Sequence, residues 1–474
     1  VWYWPYWKII WWSRPKFNRI VGEIRYRVSD KFKLKCKDNV SSLAYATIHV
    51  VKDNIDITEN DDLQKFKIEG SCYSNGKFIG TTIAKKVTVN ILNDGQYDLE
   101  NKEISIKTGL KIDGTIEYVP MGNYIIEKPN TEEVGAKTEF TGYDYMIKFN
   151  CTYKNRVKFP CKASVLLQDI CSQAGVECGS LSFINSEYMI LGNPFTNNEN
   201  CKTVLSNIAQ LAVGYAYIGR DNKLYIKTLK TTAHLLSVKE VHKMSVKELN
   251  MTPVYKLAGI SSVAEEKVDG NNYFEFFKNN KFGKVNSLVL KISGIDGENT
   301  EENDQDSIKD DGLTEISIED NYFLSTEEER KKVIKPMWNA LKGLEYLPFE
   351  TTYYGYPYLD VGDPIVIADT DDKEYFSYVF NYTFEYDGSY NGILKTEAMT
   401  KTQTAYKNSE NLKSRFRRAE RTIDKIEGTI EDIIEQQDEN TEKITQHEQT
   451  IDSISDKVSH IEETTNTIEG NKTI

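Results

Sequence analysis

The two runs KEISIKTGLKI (102–112) and TIEYVPMGNYIIEK (115–128) decide the fold class of this chain. Both are short and rich in β-branched and aromatic residues, which favour extended backbone. Turn signals separate them from four runs of the same character, and SNGK (74–77) and NDG (93–95) are predicted to be hairpin turns. The four runs are KFKLKCKD, YATIHVVKD, KVTVNIL and TEFTGYDYMIKF. The sequence therefore predicts a first antiparallel β-domain, a barrel or sandwich, over residues 18–155.

A change of pattern after residue 155 predicts a small α/β module over residues 156–232. ASVLLQDICSQAG (163–175) has apolar residues at helical spacing and ends in a glycine suited to a helix C-cap. NCKTVLSNIAQLAV (200–213) has the same pattern. It leads into GYAYIGRDNKLYIKTL (214–229), which predicts two strands joined by a turn.

Aromatic-rich strand patterns return over residues 233–404 and predict a second antiparallel β-domain. Within it, the acidic stretch 294–312 is predicted to be an exposed loop, and its spacing does not match a calcium-binding loop. A helix is predicted over residues 326–343. Ser325 and Glu328 form its predicted capping box, and Pro336 is expected to kink or divide it.

The stretch TIDKIEGTIEDII (422–434) belongs to a heptad pattern that predicts a C-terminal coiled coil over residues 405–470. Isoleucine at both core positions disfavours a parallel dimer, so the predicted assembly is a parallel trimer. Polar residues at core positions, such as His447, are interpreted as fixing the register rather than as binding a metal. The predicted core residues are Ile423, Ile426, Ile430, Ile433, Gln437, Asn440, Ile444, His447, Ile451, Ile454, Val458 and Ile461.

Composition limits the classes of function. The 474 residues carry a formal net charge of −13, which is unsuited to wrapping nucleic acid. The seven cysteines form no C-x-x-C pair and are predicted to be reduced, buried thiols. The five histidines match no zinc-hydrolase motif, and no G-x-S-x-G or phosphate-binding loop occurs. The sequence therefore predicts a protein that is not an enzyme and needs no cofactor or metal.

The N-terminal segment 1–17 is atypical because it contains five of the six tryptophans. It is too short for a membrane span and has no signal-peptide cleavage site. An edge strand or clamp that docks on a partner remains one open interpretation of this segment.

Two short motifs are predicted to be structural turns. They are VPMG (119–122) and DVGD (360–363), in which Gly122 and Gly362 supply backbone freedom. Pro120 lies within the first motif, and Pro364 follows the second.

Three segments resemble the hub portion of the tail-associated lysin family of bacteriophages and prophage particles of Gram-positive hosts. The first is EYVPMGNYIIEKPN (117–130) with the "YD-x-M" strand of TEFTGYDYMIKFN (138–150). The second is the helix and hairpin KTVLSNIAQLAVGYAYIGRDNKLYI (202–226), and the third is LPFETTYYGYPYLDVGDPIVIAD (347–369). The resemblance covers residues 30 to 400.

This resemblance implies a structural virion protein, made in the host cytoplasm and located at the tail tip or baseplate. It implies a homotrimer whose β-domains continue the tail tube, close its tip and gate passage of the tape-measure protein and DNA. The implied partners are a hexameric distal tail protein, the tape-measure protein, DNA in transit without specific binding, and further tail-tip or receptor-binding proteins on the stalk. A lytic domain is expected only beyond these residues, so peptidoglycan hydrolysis is not inferred for them.

Two other functions stay open at this stage. Tyrosine-rich strands suit carbohydrate binding, which favours a trimeric receptor-binding fibre or adhesin. A tail-tip cell-wall hydrolase is the other alternative, because carboxylates are too numerous to exclude a catalytic pair by counting.

Overall fold

The computed structural model describes most of the chain between residues 26 and 407. The described ranges are 26–37, 44–74, 76–127, 129–132, 136–195, 199–229, 266–268, 273–292, 299–371, 373–397 and 405–407. The Trp-rich segment 1–17 and the heptad core positions lie outside them.

Strands dominate the described residues, and short helices connect them. In the first half the strands are β1 (Ala44–Val50), β2 (Ile55–Thr58), β3 (Leu63–Ser71), β4 (Lys86–Leu92), β5 (Glu103–Ile112), β6 (Thr115–Ile126), β7 (Asn130–Glu132), β8 (Lys137–Tyr143), β9 (Cys161–Lys162), β10 (Met189–Ile190), β11 (Gly214–Ile218) and β12 (Leu224–Thr228). In the second half they are β13 (Glu266–Val268), β14 (Tyr273–Lys278), β15 (Ser287–Lys291), β16 (Thr300–Asn303), β17 (Glu315–Glu319), β18 (Phe349–Tyr353), β19 (Pro364–Ala368), β20 (Glu374–Tyr378), β21 (Asn381–Tyr386), β22 (Tyr390–Thr396) and β23 (Ala405–Lys407). The helices are α1 (Asp30–Lys37), α2 (Ala163–Ala174), α3 (Cys201–Leu211), α4 (Gln305–Asp311) and α5 (Glu327–Leu341).

One 12-stranded antiparallel sheet organises the fold, in the order β14-β18-β22-β21-β3-β4-β8-β6-β5-β1-β2 with β7 beside β8. Its strands alternate between buried and less buried residues; in β4, for example, Val87, Val89 and Ile91 are buried. This alternation is typical of a sheet with one face on a hydrophobic core. The β3–β21 pair joins strands of the two predicted β-domains, while the predicted domain boundaries stay predictions.

The prediction of purely antiparallel β-domains is confirmed for the large sheet and wrong for two smaller ones. In the four-stranded sheet, β17 pairs in parallel with both β15 and β23. In the three-stranded sheet, β13 pairs in parallel with β19. Such pairs need long connections, which local sequence patterns do not reveal.

Residues 31–37 of the run KFKLKCKD lie in α1, so the strand prediction for this run is wrong. Alternation of Phe32, Leu34 and Cys36 suggested a strand, but Phe32 and Cys36 are also four residues apart and share one helix face. Both are buried, whereas Leu34 is 60% exposed. Burial of this helix face favours a helix over the strand that the alternating pattern suggested.

The two predicted hairpin turns have different outcomes. Ser74 and Lys77 exchange backbone hydrogen bonds, as expected for the SNGK turn. NDG does not join a hairpin, because β4 pairs with β3 and β8 rather than with β5. Instead, the Asn93 side chain accepts hydrogen bonds from the N–H groups of Gly95 and Tyr97 and shapes a loop.

A β5–β6 hairpin turn at Asp113 and Gly114 was not recognised from the sequence. Both residues have positive φ, 50° and 90°. An Asp-Gly pair between strands is typical of this turn type, so the signal was present.

The "YD-x-M" segment is not a strand throughout. β8 ends at Tyr143, and Tyr145–Phe149 forms a 3₁₀ helix. The Asp144 carboxylate caps it by accepting a hydrogen bond from the Met146 N–H at 3.0 Å.

The described part of the acidic stretch, residues 299–312, is partly exposed, but it is not simply a loop. It contains β16, which pairs with β15, and α4, whose N-cap is Asp304. The loop prediction is wrong here because neighbouring strands and caps supply order that composition does not indicate.

The predicted helix 326–343 exists as α5, with its cap shifted by one residue. Thr326 is the N-cap, and Glu329 completes the capping box, rather than Ser325 and Glu328. Pro336 lies inside the helix without dividing it. Val333, Met337 and Trp338, which precede and follow the proline in the helix, have buried side chains. Their burial offsets the free-energy cost of a proline inside a helix.

The predicted α/β elements are confirmed. Gly175 is the C-cap of α2 with φ 63°, and Asn200 caps α3 by accepting a hydrogen bond from the Thr203 N–H. β11 and β12 form the expected hairpin.

At the start of the predicted coiled coil, Ala405–Lys407 forms strand β23 rather than helix. The rest of the coil lies outside the described residues and stays a prediction. Over the part of the chain that is described, no helix combines the length and apolar character needed to cross a membrane.

Candidate functional site at a buried charged junction

The first motif, VPMG, lies in β6 at a β-bulge. Gly122 faces Ile106 and Pro120 faces Lys107 on β5, so Met121 is the extra residue. Gly122 has φ 104°, a conformation that favours glycine. The bulge breaks the regular ladder next to the β11–β12 hairpin.

Arg220, in the turn of that hairpin, connects the first motif to the third. Its Nη1 donates to the Pro120 carbonyl at 3.1 Å, and its Nη2 donates to the Leu359 carbonyl at 2.7 Å. The nearby Asn222 Oδ1 accepts a hydrogen bond from the Asn123 N–H at 2.9 Å. The rigid, planar guanidinium can hold two carbonyl groups at once, so this hairpin fastens β6 to the chain before the DVGD motif.

The DVGD motif is a tight turn built on its own carboxylates. The Asp360 N–H donates to Asp363 Oδ2 at 2.9 Å, and the Val361 N–H donates to Asp360 Oδ1 at 2.8 Å. Gly362 has φ 74°, and a Cβ on it would overlap the Tyr215 hydroxyl. That hydroxyl donates to the Val361 carbonyl at 3.0 Å. Only glycine fits both the backbone conformation and this contact.

Two buried ion pairs fix the same turn. Lys85 Nζ lies 2.7 Å from Asp360 Oδ2, and Lys227 Nζ lies 3.0 Å from Asp363 Oδ1. Arg220 Nε is 3.8 Å from Asp360 Oδ2. None of these five side chains is more than 11% exposed. Charges buried to this degree are retained only when they are paired and hydrogen-bonded, as they are here.

The cationic neighbours of Asp360 lower the pKa of its carboxyl, despite its burial. Burial alone would raise the pKa of this carboxyl, but the charges of Lys85 and Arg220 and the hydrogen bonds to Asp360 outweigh burial. Asp360 is therefore ionised at neutral pH, as its ion pair with Lys85 requires.

Asp144 is the uncompensated carboxyl of this region. Its Oδ2 is buried and has no hydrogen-bond partner among the described residues. Burial raises the pKa of Asp144 to about 7, although the nearby Lys85 charge and backbone hydrogen bonds act in the opposite direction. Asp144 therefore exchanges a proton near neutral pH, whereas Asp360 does not.

The junction can fix geometry, because nearly every polar atom described above is held by a neighbour. In the described ranges, no group of three or more His, Cys, Asp or Glu side chains could hold a metal ion. Its bonds cross-link β6, the β11–β12 hairpin and the DVGD turn.

The four predicted turn residues all lie at this junction or next to it. Pro120 and Gly122 belong to the bulge, and Gly362 belongs to the DVGD turn. Pro364 is the first residue of β19, a position that tolerates proline. The predicted coiled-coil core residues lie outside the described part of the chain.

The charged side chains of the junction were not predicted from the sequence. DVGD was interpreted through its glycine, and Arg220 was interpreted only as part of a turn. The available signal was a pair of aspartates in a turn between strongly apolar runs, since buried carboxylates require cationic partners. Which cations these are depends on contacts across more than 100 residues, such as the 275-residue separation of Lys85 and Asp360.

Comparison with known proteins gives remote structural likenesses only. No family model matches, and no curated protein matches. A tail protein from Neisseria meningitidis has a TM-score of 0.44 and 10% identity, covering 76% of this chain and 99% of its own. The 43 kDa tail protein of prophage MuSo2 from Shewanella oneidensis has a TM-score of 0.44 and 9% identity, covering 75% and 98%. A prophage tail protein from Listeria monocytogenes has a TM-score of 0.42 and 8% identity, covering 76% and 97%. These three solved structures are of tail proteins.

Proposed function

We propose that this chain is a structural virion protein, a homotrimeric baseplate hub at the tip of a bacteriophage tail. In this role it closes the tail tube and gates passage of the tape-measure protein and DNA, with a coiled-coil stalk projecting from it. Its partners are two further copies, a hexameric distal tail protein, the tape-measure protein and other tail-tip or receptor-binding proteins.

The meeting of three sequence motifs at one junction is the observation that carries this proposal. The motifs that resemble the tail-associated lysin hub are separated by tens to hundreds of residues in the sequence. Arg220 of the second segment hydrogen-bonds to Pro120 of the first and Leu359 of the third. Scattered turn motifs that matched by coincidence would have no reason to share one hydrogen-bonding side chain.

Strand β14 supplies a surface suited to contact between copies. Among the described residues it pairs only with β18, so no described strand lies beside its other edge. Phe274 and Phe277 on this strand are 55% and 65% exposed. A free edge with exposed aromatic side chains favours association with another chain. We propose that a second copy of this chain covers it.

Light scattering on the full chain tests the oligomeric state. We expect a molar mass near three times 54.4 kDa. Ile430→Asp places a charge at a predicted core position and should lower the mass, whereas Glu431→Gln, one residue further, should leave it unchanged. A monomer or dimer of the unaltered chain would overturn the proposal.

Removal of residues 408–474 distinguishes the contribution of the predicted stalk to trimerisation from that of the β14 edge. If β14 contributes an interface, the shortened chain should stay trimeric at high concentration, and Phe277→Glu should dissociate it. A shortened chain that is monomeric at every concentration would assign trimerisation to the coil alone.

The passage of DNA without specific binding is tested by electrophoretic mobility. Three copies at −13 each carry a formal charge of −39, which repels a polyanion. We expect no binding of duplex DNA by the purified chain at physiological salt. Tight binding would contradict this part of the proposal, and release of fragments from purified peptidoglycan would favour a hydrolase instead.

A further inference from the structure

Four of the seven cysteines lie in two close pairs, and none of the seven forms a disulfide in the structure. The better-defined pair is Cys151 and Cys201, whose Sγ atoms are 3.2 Å apart. The second pair is Cys171 and Cys178, which share a side-chain hydrogen bond. Neither pair belongs to the charged junction.

The backbone holds Cys151 and Cys201 opposite each other. Thr152 and Asn200, their chain neighbours, form an antiparallel bridge, and the Cys201 N–H donates to the Cys151 carbonyl at 2.8 Å. Opposed residues on antiparallel chains have the side-chain proximity that a disulfide requires. The sulfur atoms need to approach by only about 1 Å to reach bonding distance.

The two thiols differ in access. Cys151 is partly exposed, whereas Cys201 is fully buried at the first position of α3. A soluble oxidant can therefore reach Cys151 first, and Cys201 can then attack from inside. No group of three metal-ligating side chains occurs in the described ranges, so this arrangement suits a dithiol better than a metal site.

We propose that Cys151 and Cys201 form a redox-active dithiol that closes to an intramolecular disulfide when the protein meets a small-molecule disulfide such as oxidised glutathione. This thiol chemistry is independent of the proposed virion function. It extends the sequence expectation of reduced thiols, which holds for a reducing cytosol.

The reaction is a two-step thiol–disulfide exchange. The Cys151 thiolate attacks one sulfur of oxidised glutathione, forms a mixed disulfide and releases one glutathione thiolate. Cys201 then loses its proton to solvent, attacks the Cys151 sulfur and displaces the second glutathione. The protein loses two hydrogen atoms, and one oxidised glutathione becomes two reduced molecules.

The surroundings of Cys201 favour this order of events. The pKa of the Cys201 thiol is raised to about 12. Burial is the largest cause, and the hydrogen bond and charge of Cys151 contribute to the same rise. The contributions from Cys151 vanish once its sulfur is bonded to glutathione. Formation of the mixed disulfide therefore makes Cys201 easier to deprotonate.

Peptide mapping of the oxidised full chain tests the proposal. The purified protein is incubated with oxidised glutathione at pH 8, quenched with N-ethylmaleimide, digested without reductant and analysed by mass spectrometry. We expect a peptide pair joining Cys151 to Cys201, lost on reduction. Cys151 carrying glutathione with Cys201 alkylated, or neither residue oxidised, would overturn the proposal.

Two variants sharpen the result. Cys201→Ser should trap glutathione on Cys151, because the internal attacking thiol is gone. Cys161→Ser should leave the Cys151–Cys201 bond unchanged, since Cys161 is a separate buried thiol. A bond from Cys161 to either cysteine in the unaltered chain would contradict the pairing. If Cys201→Ser does not fold, the map of the unaltered chain still decides the question.

Cys171 and Cys178 serve as an internal reference in the same digest. The hydrogen bond from Cys171 lowers the pKa of Cys178, which favours the thiolate form of Cys178. A Cys171–Cys178 peptide is distinct in mass from the Cys151–Cys201 pair. Exchange between the pairs, such as a Cys178–Cys201 bond, would show that proximity in the structure does not direct oxidation.

Discussion

Two buried aspartates, Asp360 and Asp144, begin tight turns in the same part of the molecule, and their protonation differs. Asp360 accepts a hydrogen bond from the Lys85 ammonium at 2.7 Å, and its net pKa is lowered. Asp144 has one oxygen held by the Met146 N–H and one buried oxygen without a partner among the described residues, and burial raises its pKa to about 7.

The difference shows that burial alone does not set the charge of a carboxyl. The Lys85 ammonium acts on both carboxyls through space, but only the Asp360 carboxyl is in direct contact with it. A direct ion pair keeps a buried carboxylate charged, and a more distant cation does not fully offset the cost of burial. The DVGD turn is therefore fixed by charge, whereas the turn at Asp144 responds to pH.

The largest expected effect comes from making Asp360 resemble Asp144. Lys85→Met removes the contacting cation and leaves Asp360 and Asp363 with Arg220 and Lys227 only. We expect a loss of about 3–5 kcal/mol in the free energy of unfolding, because a charge is left buried without its direct partner. Urea unfolding at neutral pH measures it.

Lys31→Met is the matched control. Lys31 pairs with Asp113 at the surface, where their side chains are 67% and 68% exposed. The change in unfolding free energy should stay below about 1 kcal/mol. Equal effects of the two substitutions would show that the Lys85 pair contributes no more than a surface pair.

A smaller effect is expected from the turn glycines. Gly362→Ala should cost about 2–4 kcal/mol, because the new methyl group meets the Tyr215 hydroxyl as well as a left-handed backbone. Gly122→Ala meets Tyr124 only at 3.8 Å, an ordinary contact, and should cost about 1–2 kcal/mol. Urea unfolding of both variants gives the comparison.

A double variant identifies the cause. Tyr215→Phe removes the hydroxyl that the Gly362→Ala methyl group would overlap. The loss in the double variant should therefore be less than the sum of the two single losses. Additive losses would assign the whole effect of Gly362→Ala to its backbone conformation.

The smallest expected effect is a pH dependence from Asp144. Its folded pKa of about 7 exceeds the ordinary value of 3.8. This group's contribution to stability is complete below pH 3.8 and is lost as pH rises through 7. Relative to Asp144→Asn, which cannot ionise, the unaltered chain should lose about 1 kcal/mol between pH 6 and pH 7. Parallel stability profiles for the two proteins would place the Asp144 pKa in its ordinary range.

Local patterns predicted elements whose neighbours agree with them. β4 carries strict alternation, and the helices α2 and α3 carry recognisable caps, so their sequences alone sufficed. The strand prediction for the α1 segment was wrong because Phe32 and Cys36 satisfy a strand pattern and a helix pattern equally well. Tertiary packing decides between the two. β16 failed because its sequence TEEN has little strand propensity and depends on pairing with β15.

The candidate site was predicted only in part, since its glycines are local features and its charges are not. Gly122 and Gly362 could be identified because turns have characteristic residue preferences at neighbouring positions in the sequence. The cations that pair with Asp360 and Asp363 lie more than 100 residues away in the sequence. A single sequence shows that two acids need partners, but it does not show which lysine or arginine reaches them.

The pairing of β3 with β21 has a consequence for synthesis on the ribosome. Ser71 and Asn381, whose side chains meet at 2.6 Å in this pair, are 310 residues apart. At translation rates of about 5–20 residues per second, roughly 15 to 60 seconds separate the emergence of the two strands. During that interval the nascent β3 lacks its native neighbour on one side. Slower translation lengthens the time for which the edge of β3 is exposed. The yield of folded protein should therefore decrease as translation slows, unless a chaperone covers that edge.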